Sequence, residues 1–201
     1  MIRSLQWFQL NESSQKFLWQ WCVWCVLGWG FGGLIGWALE RYLLVGAFAG
    51  PQTQAAFILR PPMLAGALVF GLVESAIQGR TARAWFGVNL PLWMLLSCAG
   101  WGFDYLIAES DTWPGLGLGV LQWAVFRGPH RALWAWPGVS LIAVQLGQSL
   151  SYRVLDVFWM SLGGIPAVFG AAALSGMAYG LVTGLYRSLA VETTPATRPR
   201  R

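Results

Sequence analysis

The apolar residues of this chain gather in long blocks separated by short polar or proline-bearing stretches. A block of about 20 mostly apolar residues is the length at which a helix spans the hydrocarbon core of a bilayer. Six blocks qualify: Phe17–Leu39, Met63–Gln78, Trp85–Ile107, Trp113–Phe126, Leu133–Leu150 and Leu162–Leu185. The fourth is short, and requires tilt or a thinned bilayer. The pattern predicts an all-α fold, a polytopic membrane bundle of about six transmembrane helices. It divides the chain into a cytoplasmic N-terminal segment, 1–16, a six-helix transmembrane domain, 17–190, and a tail, 191–201, expected to be disordered. The first segment is polar and mixed and lacks the apolar core of a cleavable signal, so the first block is expected to be retained. Pro51 and Pro61–Pro62 are expected to break any helix between Glu40 and Pro62, leaving an external loop. Ser151–Met160 mixes charge with aromatic residues and is expected to lie flat at the external interface.

The cations sort by side. With six spans, Arg3, Lys16, Arg80, Arg83, Arg127, Arg131, Arg187, Arg198, Arg200 and Arg201 share the side of the N-terminus, and only Arg41, Arg60 and Arg153 lie opposite. The positive-inside rule then predicts that both termini are cytoplasmic. The opposite side collects Glu40, Asp104, Glu109, Asp111 and Asp156, which carry little topological weight.

Composition narrows the classes. Hydrophobic residues make up 56% of the chain and charged residues 10%, against roughly 25% charged in soluble domains. A chain so poor in charge cannot cover its surface in water. The net charge of +5 is accounted for by topogenic cations and anionic headgroups, and no basic helix stands apart as a nucleic-acid surface. The 14 Trp suit membrane interfaces, with Trp85, Trp134 and Trp136 predicted for one belt and Trp101, Trp113 and Trp159 for the other.

The even blocks align without gaps as GLVESAIQGR from Gly71, GVLQWAVFRG from Gly119 and GLVTGLYRSL from Gly180. Each sets a polar residue three positions after glycine: Glu74, Gln122 and Thr183. Among the odd blocks, Trp21, Gly28, Trp29, Gly30 and Phe31 match Trp93, Gly100, Trp101, Gly102 and Phe103, and the fifth keeps only Gly147. The inferred plan is three tandem helical hairpins related by an axis along the membrane normal, rather than an inverted repeat. Small residues recur every four positions, as Gly28, Gly32 and Gly36, or Ala172, Gly176, Gly180 and Gly184, and predict close helix packing.

Candidate chemistry is sparse. Glu74, Gln122 and Thr183 form a polar intramembrane cluster able to bind a headgroup, an ion or a proton. The plainer reading is preferred: Glu74 reaches headgroup water near Arg80, and Gln122 bonds a neighbouring helix. Trp19, Trp21, Trp24 and Trp29 are too many for interfacial anchoring alone. With them Trp21, Trp24, Trp29 and the single histidine, His130, are the candidate contacts for a lipid, carotenoid or chlorophyll, beside the plainer reading of packing residues and a solvated loop histidine. Cys22 and Cys25 form one C-x-x-C without the second ligand pair that structural zinc needs, and Cys98 stands apart. No nucleophile–base set or phosphate-cradling loop is visible, so neither catalytic nor metal-binding residues are assigned and no enzyme is expected.

The run GLGLGVLQWAVFRGPHRALW, through Gly119, Gln122, Trp123, Arg127, Arg131 and Trp134, resembles a loosely defined group of small polytopic bacterial membrane proteins, many from cyanobacteria. Their pattern is Gly-x-x-Gln-Trp, a basic turn and a Trp-rich next helix. The match covers about a tenth of the chain; the second block has Glu74–Ser75 and the sixth Thr183–Gly184 instead. The resemblance implies no activity and points to a photosynthetic (thylakoid) or inner membrane. The functional expectation is a non-enzymatic membrane subunit that packs against a larger complex or a second copy, amid lipid, or binds an apolar ligand. A small transporter or channel is the alternative.

Overall fold

A computed structural model describes residues 10–47, 55–107, 114–127, 130 and 133–193. The described residues are helical, without a strand: α1 Glu12–Ala47, α2 Ala55–Phe86, α3 Leu90–Ile107, α4 Leu116–Ala124, α5 Trp136–Leu162 and α6 Gly164–Thr193. The predicted all-α class holds. Two helical segments, Glu12–Leu43 and Gly164–Ala190, are long and apolar enough to cross a membrane. The nine residues of α4 cover only about 14 Å at 1.5 Å per residue.

Helix ends follow local chemistry rather than the onset of charge. Asn11 caps α1, its Oδ1 accepting the Ser14 N–H at 2.8 Å, so the helix opens before the predicted Phe17. Lys and Arg are good helix formers. α2 accordingly runs on through Arg80 and Arg83, and Trp85, predicted to open the third block, lies in its last turn. It stops where Gly87 takes φ +65°, and Asn89 then caps α3 through the Leu92 N–H at 3.2 Å.

An expected loop and an expected interfacial segment both lie within longer helices. Pro61–Pro62 lie inside α2. Their fixed φ suits a helix, and only the two N–H bonds back into the turn starting at Ala55 are forfeited. Pro51 lies outside the described residues. Ser151–Met160 does not lie flat: nothing interrupts α5 until Gly163, at φ +73°. The tail expected to be disordered from 191 begins inside α6, which continues through Thr193; its remainder, the basic residues Arg3, Arg131, Arg198, Arg200 and Arg201, the acidic residues Glu109 and Asp111, and Trp113 lie outside the described residues.

Each helix packs against its chain neighbours, and α1 packs against α6, so the six close into a ring. The glycine stripes lie at these seams. A methyl group on Gly36 would lie 2.8 Å from the Gly66 carbonyl oxygen, and one on Gly180 2.9 Å from the Cys22 Cα. The interior carries Glu74, Ser75, Gln78, Ser97, Gln122, Ser140, Thr183 and Arg187, all buried. The outer surface carries Leu72, Leu95, Phe103, Leu106, Ile142, Leu146, Leu181 and Leu189, all exposed. Polar side chains are buried among the aromatic core, and large apolar side chains cover the outside.

Candidate functional site

The two ends of the ring differ. At one end the C-terminal halves of α1 and α3 and the N-terminal halves of α2 and α6 surround an open cavity of about 400 Å³. Trp29, Trp37, Phe70, Trp101 and Tyr105 wall it, with Glu40 and Asp104 as its acidic residues. A second space of about 570 Å³ adjoins it across Trp37 and Gln148 and reaches Arg41, Tyr152 and Trp159. Asp104 is not free: its carboxylate accepts the N–H groups of Gly115 at 3.0 Å, Gly117 at 2.7 Å and Leu118 at 3.1 Å. It ties α3 to the first turn of α4, where a carboxylate satisfies unpaired donors and complements the helix dipole.

Trp29 and Trp101 meet edge to face, 5.2 Å between ring centroids. Beside them is Glu74. Sequence reasoning expected this carboxyl to reach headgroup water, but it is 0% exposed. α1 closes over it because Gly28 has no side chain; a methyl group there would lie 3.1 Å from the Glu74 carbonyl oxygen. The donors facing the carboxyl are the Gln78 amide and the Trp29 and Trp101 indoles. None achieves hydrogen-bonding geometry: both carboxyl oxygens, both indole Nε1 atoms and Gln78 Oε1 lack a partner. The Gln78 amide donates instead to Cys25 Sγ at 3.3 Å.

Gln122 and Thr183 are buried as deeply and are well bonded. Gln122 Oε1 accepts from Tyr179 Oη at 2.8 Å and Trp136 Nε1 at 3.3 Å, and its amide donates to Ser97 Oγ at 3.3 Å. Thr183 accepts the Trp21 indole N–H at 2.9 Å and donates to the Tyr179 carbonyl at 2.6 Å. Tyr179 thus bonds to both, and it lies within electrostatic range of Glu74. Gln122 bonds neighbouring helices as expected, and Glu74 alone of the three is left unsatisfied.

The other end is sealed. Phe17, Trp21, Phe86, Trp93, Phe126 and Trp136 interlock, with Phe86 and Phe126 stacked at 4.6 Å and 7°. Arg187 lies over Phe17 at 4.2 Å and Trp85 at 5.0 Å, a buried cation on two ring faces. His130 sits beside Phe86, half-buried rather than solvated in a loop, its Nδ1 without a partner. Burial and the Arg187 charge hold its imidazole below the ordinary 6.5.

Trp19, Trp21, Trp24 and Trp29 of α1 do not line one groove. Trp21 and Trp29 face the interior, whereas Trp19 is 73% exposed and Trp24 lies on the outer surface. Trp136 and Trp101, predicted for the two belts, are core residues; Trp134 and Trp159 are exposed. Sequence reasoning missed Gln78, Tyr179 and Arg187, although each stands one helical turn from Glu74 or Thr183, the spacing that puts side chains on one face. No local pattern marks Asp104 as the partner of α4. Comparison with protein-family models, with curated proteins and with solved structures found no match to this chain.

Proposed function

We propose that this chain is a six-span, non-enzymatic membrane protein that holds a small, largely apolar molecule inside its helix ring. The observation that carries the reading is the cavity walled by Trp29, Trp37, Phe70, Trp101 and Tyr105. Its volume, near the low end for ligand sites, favours a single ring system or a lipid tail over a tetrapyrrole. The apolar outer surface supports lipid as the solvent for all six helices, because exposed apolar faces of this extent have no place in water. The sorting of cations supports cytoplasmic termini, which turns the sealed end inward and the open end outward. Ring closure, and the common depth of Glu74, Gln122 and Thr183, support the plan of three tandem hairpins. The Gly-x-x-Gln-Trp resemblance favours a bacterial inner or photosynthetic membrane, with lipid and a larger complex or a second copy around the ring.

The test is purification from native membranes in mild detergent, followed by solvent extraction and mass spectrometry. A co-purifying organic molecule is expected, lost when Ala67→Trp fills the cavity. A wild-type protein that runs alone and yields nothing beyond bulk lipid sinks the reading. A second reading, a small transporter, is favoured by one observation: Glu74, buried and unpaired behind the cavity wall. A lone carboxyl at such depth is costly and marks a path for ions or substrates.

A further inference from the structure

The cavity has the chemistry of a cation site. Its walls offer the faces of Trp, Phe and Tyr, its polar contributors include Glu40 and Asp104, and none of its described lining residues is Lys, Arg or His. Ring faces carry negative quadrupole charge, and cages of them hold quaternary ammonium groups. The nearest cation, Arg41, packs on Trp37 at 5.9 Å and lines the adjoining space instead.

Aromatic faces alone do not settle ligand charge. Glu74 does. Asp104 is committed to three backbone N–H groups and Glu40 is half-buried at the rim. No close, well-aligned hydrogen bond reaches either Glu74 oxygen, and the donors that face it are the Gln78 amide and the indoles of Trp29 and Trp101, which line the cavity. The titratable groups facing it are Cys25 from α1 and Tyr179 from α6; α4 and α5 bring the neutral Gln122 and Ser140 to the same interior. No base among the described residues meets it. An ionised carboxylate so placed costs several kcal/mol unless a cation sits beside it, so its charge is coupled to the occupant of the cavity.

We propose that the cavity binds a small organic cation of the aryl or quaternary ammonium class, that Glu74 supplies the countercharge, and that each cation bound displaces one proton from Glu74. The step is an exchange. The carboxyl O–H bond breaks, the proton leaves to water, the carboxylate balances the cation's charge across the intervening Trp29 and Trp101 rings, and no electrons are transferred. It rests on the ligand-binding reading above and deepens it by naming the substrate class.

The test uses the full chain in detergent and two probes of one shape, phenyltrimethylammonium and its neutral carbon isostere tert-butylbenzene, with protein-free micelles as the blank. Binding is followed by tryptophan fluorescence, and proton release by a pH dye in weak buffer. Wild type is expected to prefer the cation at least tenfold, to bind it more tightly as pH rises, and to release about one proton per cation. Glu74→Gln is expected to bind the cation at least tenfold more weakly, with neither proton release nor pH dependence, while still taking the neutral probe. Equal binding of both probes overturns the cation proposal and leaves the ligand-binding reading standing. Binding of neither overturns both. Cation binding by wild type without proton release overturns the role of Glu74, and that measurement needs no variant to fold.

Discussion

The sealed and open ends are built from the same residues to opposite effect. Both are rich in tryptophan, and both hold an ionisable side chain against aromatic rings. At the sealed end every ring is gripped by others: Trp136 touches Trp21, Phe86, Phe126 and Tyr186, and Arg187 lies flat on Phe17 and Trp85. At the open end the rings stand around unfilled volume, and the carboxyl behind them has no partner. Interlocked rings raise stability through dispersion and edge-to-face contact; Trp29, Phe70 and Trp101 also meet edge to face, but their cavity-facing sides are left to a guest. One end holds the protein together, and the other is held ready.

The sharpest way to break this contrast is to delete one tryptophan from each end. Trp136→Ala is expected to cost about 4 kcal/mol, within the range for buried aromatic truncations, and Trp37→Ala about 1 kcal/mol. Unfolding in mixed micelles measures both, and equal losses would dissolve the distinction. Next in size is Asp104→Ala, which strips three backbone donors of their acceptor at the start of the short α4. A loss of about 2–3 kcal/mol is expected, with Asp104→Asn retaining part of it. A silent Asp104→Ala would mean that α4 is held from elsewhere. Smaller again is Arg187→Met at the sealed end, expected to cost about 1–2 kcal/mol, with Arg187→Lys intermediate because a compact ammonium stacks less well on ring faces. The smallest effect is that of pH on the sealed end. Folded His130 titrates below the ordinary 6.5, so below that pH the unfolded chain binds the proton more readily. Its contribution is constant above about pH 6.5 and is lost as pH falls through the folded value. His130→Gln should flatten the stability profile between pH 7 and 5, and an unchanged profile would clear this residue.

Much of the scaffold was legible before any coordinates. Long apolar blocks pointed to the all-α class, and glycines four apart marked the seams where α1 meets α2 and α6. The ends of the helices were not, because charge was read as a boundary. Arg80 and Arg83 extend α2, since an arginine ends nothing unless a glycine such as Gly87 or a cap such as Asn89 supplies the turn. The depth of Glu74 was misread for a related reason. Its distance from Arg80 along one helix implies a route to water, but whether that route is open depends on helices far off in sequence, and Gly28 lets one of them close it. The tryptophans of α1 carried more signal than was used. Trp21, Cys25, Gly28 and Trp29 share one face by their spacing and Trp19 falls off it, which separates core from surface without a model of the neighbours. Asp104 is different in kind. Its partners belong to another helix, and nothing in WGFDYL announces them.

Closure of the ring by α1 against α6 has a consequence for biogenesis. The first hairpin made by the ribosome cannot bury its own seam, because the surface that covers Cys22, Cys25 and Trp29 is carried by the last helix to be synthesised. Until Gly176 and Gly180 arrive, the flank of α1 that carries Cys22, Cys25 and Trp29 is left uncovered. The seam that closes the ring is therefore the last that synthesis can complete, and a chain without α6 has no partner for that flank of α1.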